Sequence, residues 1–214
     1  MTQVLLVDYG VGNLLSVARA LEACGASVEL SGDVTAVRRA KTLVLPGVGA
    51  FGDCMAELRR RGLIDPLREF ATSGRPFLGI CVGMQVLMNV GEEFGEHEGL
   101  GVFKGRVRAI PPTTSEGRAH KIPHIGWTPL VPAGGNGWRG TILDETAAAS
   151  TFYFVHSYTA WPDDETVRLA DADYNGQRVA AVIRRGNAYG TQFHPEKSGA
   201  AGLSILSKFL ALPT

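Results

Sequence analysis

The stretch PFLGICVGMQVL, residues 76–87, decides how the chain is read. It begins as a short apolar run and halts at Cys81, with Gly79 and Gly83 two places to either side. G-x-C-x-G has the spacing of a nucleophile elbow, a sharp strand-to-helix turn that presents a reactive side chain, here sulfur instead of hydroxyl. Glycines on both sides let the turn pass without Cβ clashes. A cysteine at such a turn sits over the positive end of the helix, which favours thiolate. The alternative is a buried structural cysteine, a common fate of free thiols. An elbow needs a base, an orienting acid and an oxyanion site from the rest of the chain.

Working outward, the first half alternates apolar strands with helical periods. Residues 3–8, 27–30, 42–47 and 76–80 read as strands. Leu14, Val17, Ala18 and Leu21 recur at helical spacing, a helical stretch covers about 53–73, and 82–90 starts another helix. Such alternation implies a parallel sheet covered on both faces, with ligands beyond the carboxyl ends of its strands. The ends DYGVGN, PGVGAFG and GICVG should therefore share one rim. The second half reads as strands at 101–110, 120–130, 150–160, 166–174, 178–185 and 188–194, with a hairpin at RRGN. Residues 111–119 and 132–140 read as surface loops, and a last helix runs over about 199–210. The predicted class is α/β, a mixed, mainly parallel sheet with an antiparallel second half.

Bulk properties narrow the function classes. A length of 214 residues suits one domain, or one domain with a large insertion, and a single domain over 1–214 is expected. With 45% hydrophobic and 20% charged residues, the composition is that of a soluble globular protein. Lys plus Arg and Asp plus Glu each number 21, so no global field favours nucleic acid or an anionic membrane. The run Arg59, Arg60, Arg61 reads as a solvated helix end. Three scattered cysteines, Cys24, Cys54 and Cys81, fit neither a disulfide framework nor a C-x-x-C metal site; they read as free thiols in a reducing compartment. The N-terminus has no leader pattern and no apolar run is long enough to span a bilayer, so a cytoplasmic location is expected.

Five histidines could supply the base. His97 and His120 lie in polar and basic loops. His124 and His156 lie within strands and suit structural roles. His194, in QFHPEKS, closes a strand at the rim, and Glu196 two residues on can fold back to its ring. A carboxylate there sets the tautomer and stabilises imidazolium. The loop PGVGAFG can aim backbone N–H groups of Gly47, Val48 and Gly49 at an oxyanion, with the Val82 N–H as the second expected donor. No G-K-[ST] follows it, so it is not a P-loop. Gln85 lies one helical turn past Cys81, on the nucleophile's face.

GICVGMQ, PGVGAFG and TQFHPEKS, in this order and spacing, resemble the class I (triad) glutamine amidotransferases. DYGVGN, KIPHIGW, YFVHSY and QFHPEKS look like the glutaminase subunits of imidazole glycerol phosphate synthase, over residues 3 to about 210. The resemblance implies a flavodoxin-like fold and a Cys81–His194–Glu196 triad. It implies attack by Cys81 on the glutamine side-chain amide, a glutamyl thioester and released ammonia. It assigns the oxyanion to Gly47, Val48, Gly49 and Val82, and glutamine binding to Gly49, Gln85, Ser157 and Tyr158. No cofactor and no metal is implied. The implied partner is a (β/α)8-barrel cyclase subunit, bound as a heterodimer through Asn13, Trp127, Tyr153 and Lys197. The cyclase joins the ammonia to a phosphoribulosyl formimino carboxamide nucleotide, giving imidazole glycerol phosphate and an aminoimidazole carboxamide ribotide. Such glutaminases are nearly idle alone, which a resting oxyanion N–H turned away in PGVG would explain. One departure is Thr128, where the family usually has Asn. Paralogues that feed ammonia to a sugar-modifying barrel partner share similar linked changes.

Overall fold

A computed structural model describes residues 1–134 and 137–213. Its first half alternates as expected: β1 (Thr2–Val7), α1 (Leu14–Ala23), β2 (Ala26–Ser31), α2 (Val34–Arg39), β3 (Leu43–Gly47), α3 (Phe51–Arg60), α4 (Ile64–Thr72), β4 (Phe77–Cys81) and α5 (Val82–Gln85). The second half is mostly strands: β5 (Met88–Gly91), β6 (His97–Glu98), β7 (Phe103–Ala109), β8 (His124–Pro129), β9 (Val131–Pro132), β10 (Thr151–His156), β11 (Tyr158–Pro162), β12 (Arg168–Tyr174), β13 (Gln177–Arg185) and β14 (Ala188–Thr191). Helix α6 (Gly199–Leu210) closes the fold.

The main sheet runs β2-β1-β3-β4-β14-β13-β12-β9. Its first five strands are parallel and the rest antiparallel. With β14 as the fifth strand this is the flavodoxin-like order, as the resemblance implied. Strands β3, β4 and β14 are buried at every residue. Both faces of this middle are covered, so their sequences are apolar runs without alternation. Fully burying Leu45, Leu78 or Phe77 contributes about 1.5–3 kcal/mol each. Outside the main sheet lie a four-stranded sheet, β11-β7-β5-β6, and a two-stranded pair, β10-β8.

Four expectations are corrected. The helix expected over 82–90 stops after one turn. The carbonyls of Val86, Leu87 and Met88 accept instead from the N–H groups of Leu100 (2.7 Å), Phe103 (3.0 Å) and Gly101 (3.1 Å), drawing the chain into β5. A dipole argument for Cys81 loses weight accordingly, because α5 has only four residues. The helix over 53–73 is two helices. Gly62, at φ 68°, donates to the Arg59 carbonyl and Leu63 to that of Leu58, a Schellman closure. The loop expected over 132–140 begins inside β9, and its residues 135–136 lie outside the described residues. Arg61 is not simply solvated: its guanidinium reaches the Asp8 carbonyl (3.4 Å). No helix among the described residues is long and apolar enough to cross a membrane.

Candidate active site

The parallel strands carry three sequence-distant loops to one rim. β3 delivers PGVG, β4 delivers Cys81, and β14, parallel to β4, leads to His194 three residues past its end. Cys81 has φ 55° and ψ −113°, a conformation that L-residues avoid and the hallmark of a nucleophile elbow. The flanking glycines are fixed by close approach. A Cβ on Gly83 would lie 1.9 Å from the Leu45 carbonyl oxygen, and one on Gly79 would lie 2.6 Å from that of Gly83.

His194 Nδ1 lies 2.8 Å from Glu196 Oε1, and both side chains are almost wholly buried. Burial alone would lower the imidazole's pKa. The Cys81 sulfur and the Glu196 carboxylate outweigh it and hold His194 up at about 9. Its Nε2 is left for the cysteine side of the site. The turn that carries it is tied down by Ser198, whose hydroxyl donates to the His194 carbonyl (2.7 Å) and accepts from the Tyr153 N–H (3.0 Å).

Cys81 and His194 open on a cavity of about 350 Å³. Val48, Gly49, Val82 and Gln85 form its elbow side, Ser157, Tyr158 and His156 the opposite wall, and Glu93 and Lys197 its charged margin. Of the residues expected in the triad, the oxyanion site and the glutamine pocket, all but Gly47 and Glu196 line this one space. Gly47 lies directly behind it: a Cβ there would come within 2.5 Å of the Gly83 nitrogen. Gln85 is buried, not an exposed helix residue; its amide donates to the Tyr158 carbonyl (2.9 Å) and to Gln192 Oε1 (3.0 Å).

The expected oxyanion donors are not both free. Leu43 donates its N–H to the Pro76 carbonyl (3.0 Å), and Leu43 pairs with Phe77. Parallel ladders repeat this bond every second residue, so the Gly47–Cys81 pair sets the Gly47 carbonyl against the Val82 N–H. The proline at 46, which has no N–H, falls on the non-bonding position.

Sequence reasoning missed three residues. Gln192 is fully buried and its amide points at Cys81 Sγ (3.8 Å). Glu93 accepts from the Phe51 N–H at the start of α3 (2.8 Å) while lining the cavity. Ser198 holds the His194 turn. Gln192 was within reach, two residues before His194 in the stretch 188–194 read as a strand, where alternate residues would share a face; the other two depend on partners more than 40 positions away.

His124 and His156 are structural, as expected. His124 Nδ1 lies 3.1 Å from His156 Nε2, and His156 Nδ1 lies 2.8 Å from the Tyr158 carbonyl. Burial pushes His124 down to about 4 and His156 to about 3, so both are neutral. Thr128 Oγ1 meets His124 Nε2 at 2.9 Å, which gives the departing residue an internal partner. His97 departs from the loop expected for it: it lies in β6, its ring against Gly52.

Among the residues expected at a partner surface, Trp127 is directly cross-strand from Tyr153, their rings edge-on at 5.9 Å. Lys197 Nζ lies 5.8 Å from the Tyr153 ring centre. Trp127 is 54% exposed, large for a tryptophan. Asn13, also exposed, precedes α1, which packs against the Pro195–Lys197 turn.

The comparisons with known proteins agree with this geometry. The family described as glutamine amidotransferase class-I matches residues 5–212. The imidazole glycerol phosphate synthase subunit HisH 1 of Legionella pneumophila (strain Lens) is 51% identical over 213 residues, 99% of this chain and all of that protein. The HisH subunit of Geobacillus thermodenitrificans is 45% identical over 214 residues, 100% of this chain and 98% of that protein. In fold, the chain is similar to a structure of PurLQS from Thermotoga maritima, with a TM-score of 0.74 at 19% identity, covering 98% and 97% of the two chains. The chain belongs to the class I glutamine amidotransferases, in the branch of the HisH glutaminase subunits of imidazole glycerol phosphate synthase.

Proposed function

We propose that the cavity hydrolyses glutamine through Cys81, His194 and Glu196 and passes the ammonia to a barrel cyclase subunit. The observation that carries this is the strained, buried Cys81 sharing a cavity with a buried His194–Glu196 pair. The Cys81 sulfur attacks the carboxamide carbon. His194, charged at neutral pH by its neighbours, gives its proton to the departing ammonia. The neutral imidazole then takes a proton from water, the hydroxide cleaves the thioester to glutamate, and the sulfur is released beside the re-protonated His194. Glu196 keeps Nδ1 protonated throughout.

Glu93, the carboxylate at the cavity margin, meets the substrate's α-ammonium, and Gln85, Ser157, Tyr158 and Gly49 frame the rest. The oxyanion needs the Val82 N–H, which the Gly47 carbonyl covers at rest. Rotating the Gly47–Val48 peptide uncovers it and turns the Val48 N–H inward. Gly49, at φ 86° with no atom within 4 Å of a Cβ position, leaves the loop room for this. The cluster of exposed Trp127 and Lys197 around half-buried Tyr153, with Asn13 beside it, is assigned to the cyclase. Docking there, next to the His194 turn, is where a partner can bias the loop. The ammonia then enters imidazole glycerol phosphate and aminoimidazole carboxamide ribotide. Thr128, whose hydroxyl is occupied by His124, does not argue for a sugar-modifying partner.

The test is glutamate release by the chain alone, with the cyclase, and with cyclase plus its nucleotide ligand. Stimulation by the loaded cyclase is expected, with a loss of about four orders of magnitude or more in Cys81→Ala. Glutamate release that survives in Cys81→Ala would overturn the mechanism.

A further inference from the structure

Two buried side chains outside the triad hold the strap that carries the oxyanion donors. Tyr9, fully buried at the end of β1, donates its hydroxyl to the Pro46 carbonyl (2.9 Å). Cys54, fully buried in α3, donates its thiol to the Val48 carbonyl (3.4 Å). Both groups stay protonated at neutral pH. Burial raises Tyr9 well above its ordinary range, and burial pushes the Cys54 thiol up to about 11. Each is therefore a donor with a fixed acceptor.

The two acceptors bracket one peptide. Pro46 C=O belongs to the peptide before Gly47, and Val48 C=O to the peptide after Val48. Between them lies the Gly47–Val48 peptide, whose carbonyl covers the Val82 N–H. A peptide plane can turn over by opposite changes in ψ of residue 47 and φ of residue 48, leaving its neighbours in place. Fixed neighbours confine such a turn to a single plane and define where the Val48 N–H arrives. Oxyanion donors act only when placed to within a few tenths of an ångström, so the pivots govern the quality of the assembled site.

We propose that Tyr9 and Cys54 are positioning residues for glutamine hydrolysis, the two pivots about which the Gly47–Val48 peptide turns to complete the oxyanion site. This rests on the glutaminase reading above. Neither side chain is among the residues lining the cavity. Their effect falls on the transition state, where the oxyanion exists, and not on glutamine binding.

The experiment uses the full complex with the cyclase and its ligand, in wild type, Cys54→Ala, Cys54→Ser, Tyr9→Phe and Cys81→Ala forms. Cys54→Ala and Tyr9→Phe should each lower stimulated kcat for glutamate release about 3- to 10-fold, the effect of one lost neutral hydrogen bond. The KM for glutamine should stay within about twofold, because binding is not what the pivots serve. Cys54→Ser, which keeps a donor, should recover most of the loss. Cyclase turnover on added ammonium should be the same in all five complexes, which reports intact folding and docking.

Wild-type stimulated kcat in both Cys54→Ala and Tyr9→Phe would overturn the pivots, as would a Cys54→Ser complex as slow as Cys54→Ala. A rise in KM with unchanged kcat would do the same, by moving the effect to binding. If those results came with Cys81→Ala inactive, only the pivots would fail. A silent wild-type complex, or an active Cys81→Ala complex, would bring down the glutaminase mechanism and the pivots together.

Discussion

His194 and His156 are both buried, both line one cavity, and are held at opposite ends of the titration range. Burial lowers each of them. His156 has only a backbone carbonyl to set against that, its neighbouring imidazoles push the same way as burial, and it falls to about 3. His194 has a thiol and a carboxylate, and it rises to about 9. The partner, not the degree of burial, separates a histidine that can carry a proton from one that only packs. Partners also divide the roles of two carboxylates at the site. Glu196 meets an imidazole, whereas Glu93 accepts from the Phe51 N–H at the start of α3 and lines the cavity, where we propose that it meets a substrate cation.

The largest effect comes from removing the partner that separates the histidines. Glu196→Gln should cut kcat about 10²- to 10⁴-fold. In the wild type, kcat/KM should fall as the pH rises through about 9, where His194 loses its proton. In the variant this alkaline limb should move to lower pH, because burial is then less opposed. An unmoved limb would assign the titration to another group. Next is the second carboxylate. Glu93→Gln should raise the KM for glutamine about 10-fold or more while kcat changes less. A fall in kcat at unchanged KM would give Glu93 a different task.

The neutral pair should show in stability. An unfolded histidine takes up its proton near 6.5, but folded His124 does so near 4 and folded His156 near 3. Their contribution is full above about 6.5 and is lost as the pH falls toward those values. His194 has the opposite sign: its contribution is full below about 6.5 and is lost as the pH rises through about 9. Denaturant midpoints followed from pH 7 to 4 should therefore fall, and less steeply in His124→Gln. A slope unchanged by that substitution would place the acid sensitivity elsewhere. The smallest effect is expected at Thr128. Thr128→Val leaves His124 Nε2 without its partner and should cost about 1 kcal/mol in chemical denaturation, whereas Thr128→Asn keeps a polar partner and should cost less. Equal costs for the two would remove the hydrogen bond from the account.

Much of this was legible in the chain because the parallel strands and their rim loops are local patterns. GICVG and QFHPEKS each announce a turn within a few residues, and the α/β order then forces their ends together. What was not legible depended on distant partners. The helix expected over 82–90 fails because Leu100, Gly101 and Phe103 take its carbonyls. Cys54 reads as one free thiol among three until its sulfur is seen beside the Val48 carbonyl. Gln192 reads as part of a strand until its amide is found against Cys81, 111 positions away. His194 was told from His156 by its place at a strand end and by Glu196 two residues on, whereas the contact of His156 with His124, 32 positions away, came only with the fold.

The most direct test is a pH titration of ¹⁵N-labelled histidine side chains by NMR, in wild type and Cys81→Ala. The account predicts a His194 midpoint near 9 that drops when the thiol is removed, and a His156 signal that stays neutral down to about pH 4. A His194 midpoint at or below about 6.5, or a His156 that titrates above it, would contradict the claim that their partners set these two histidines apart.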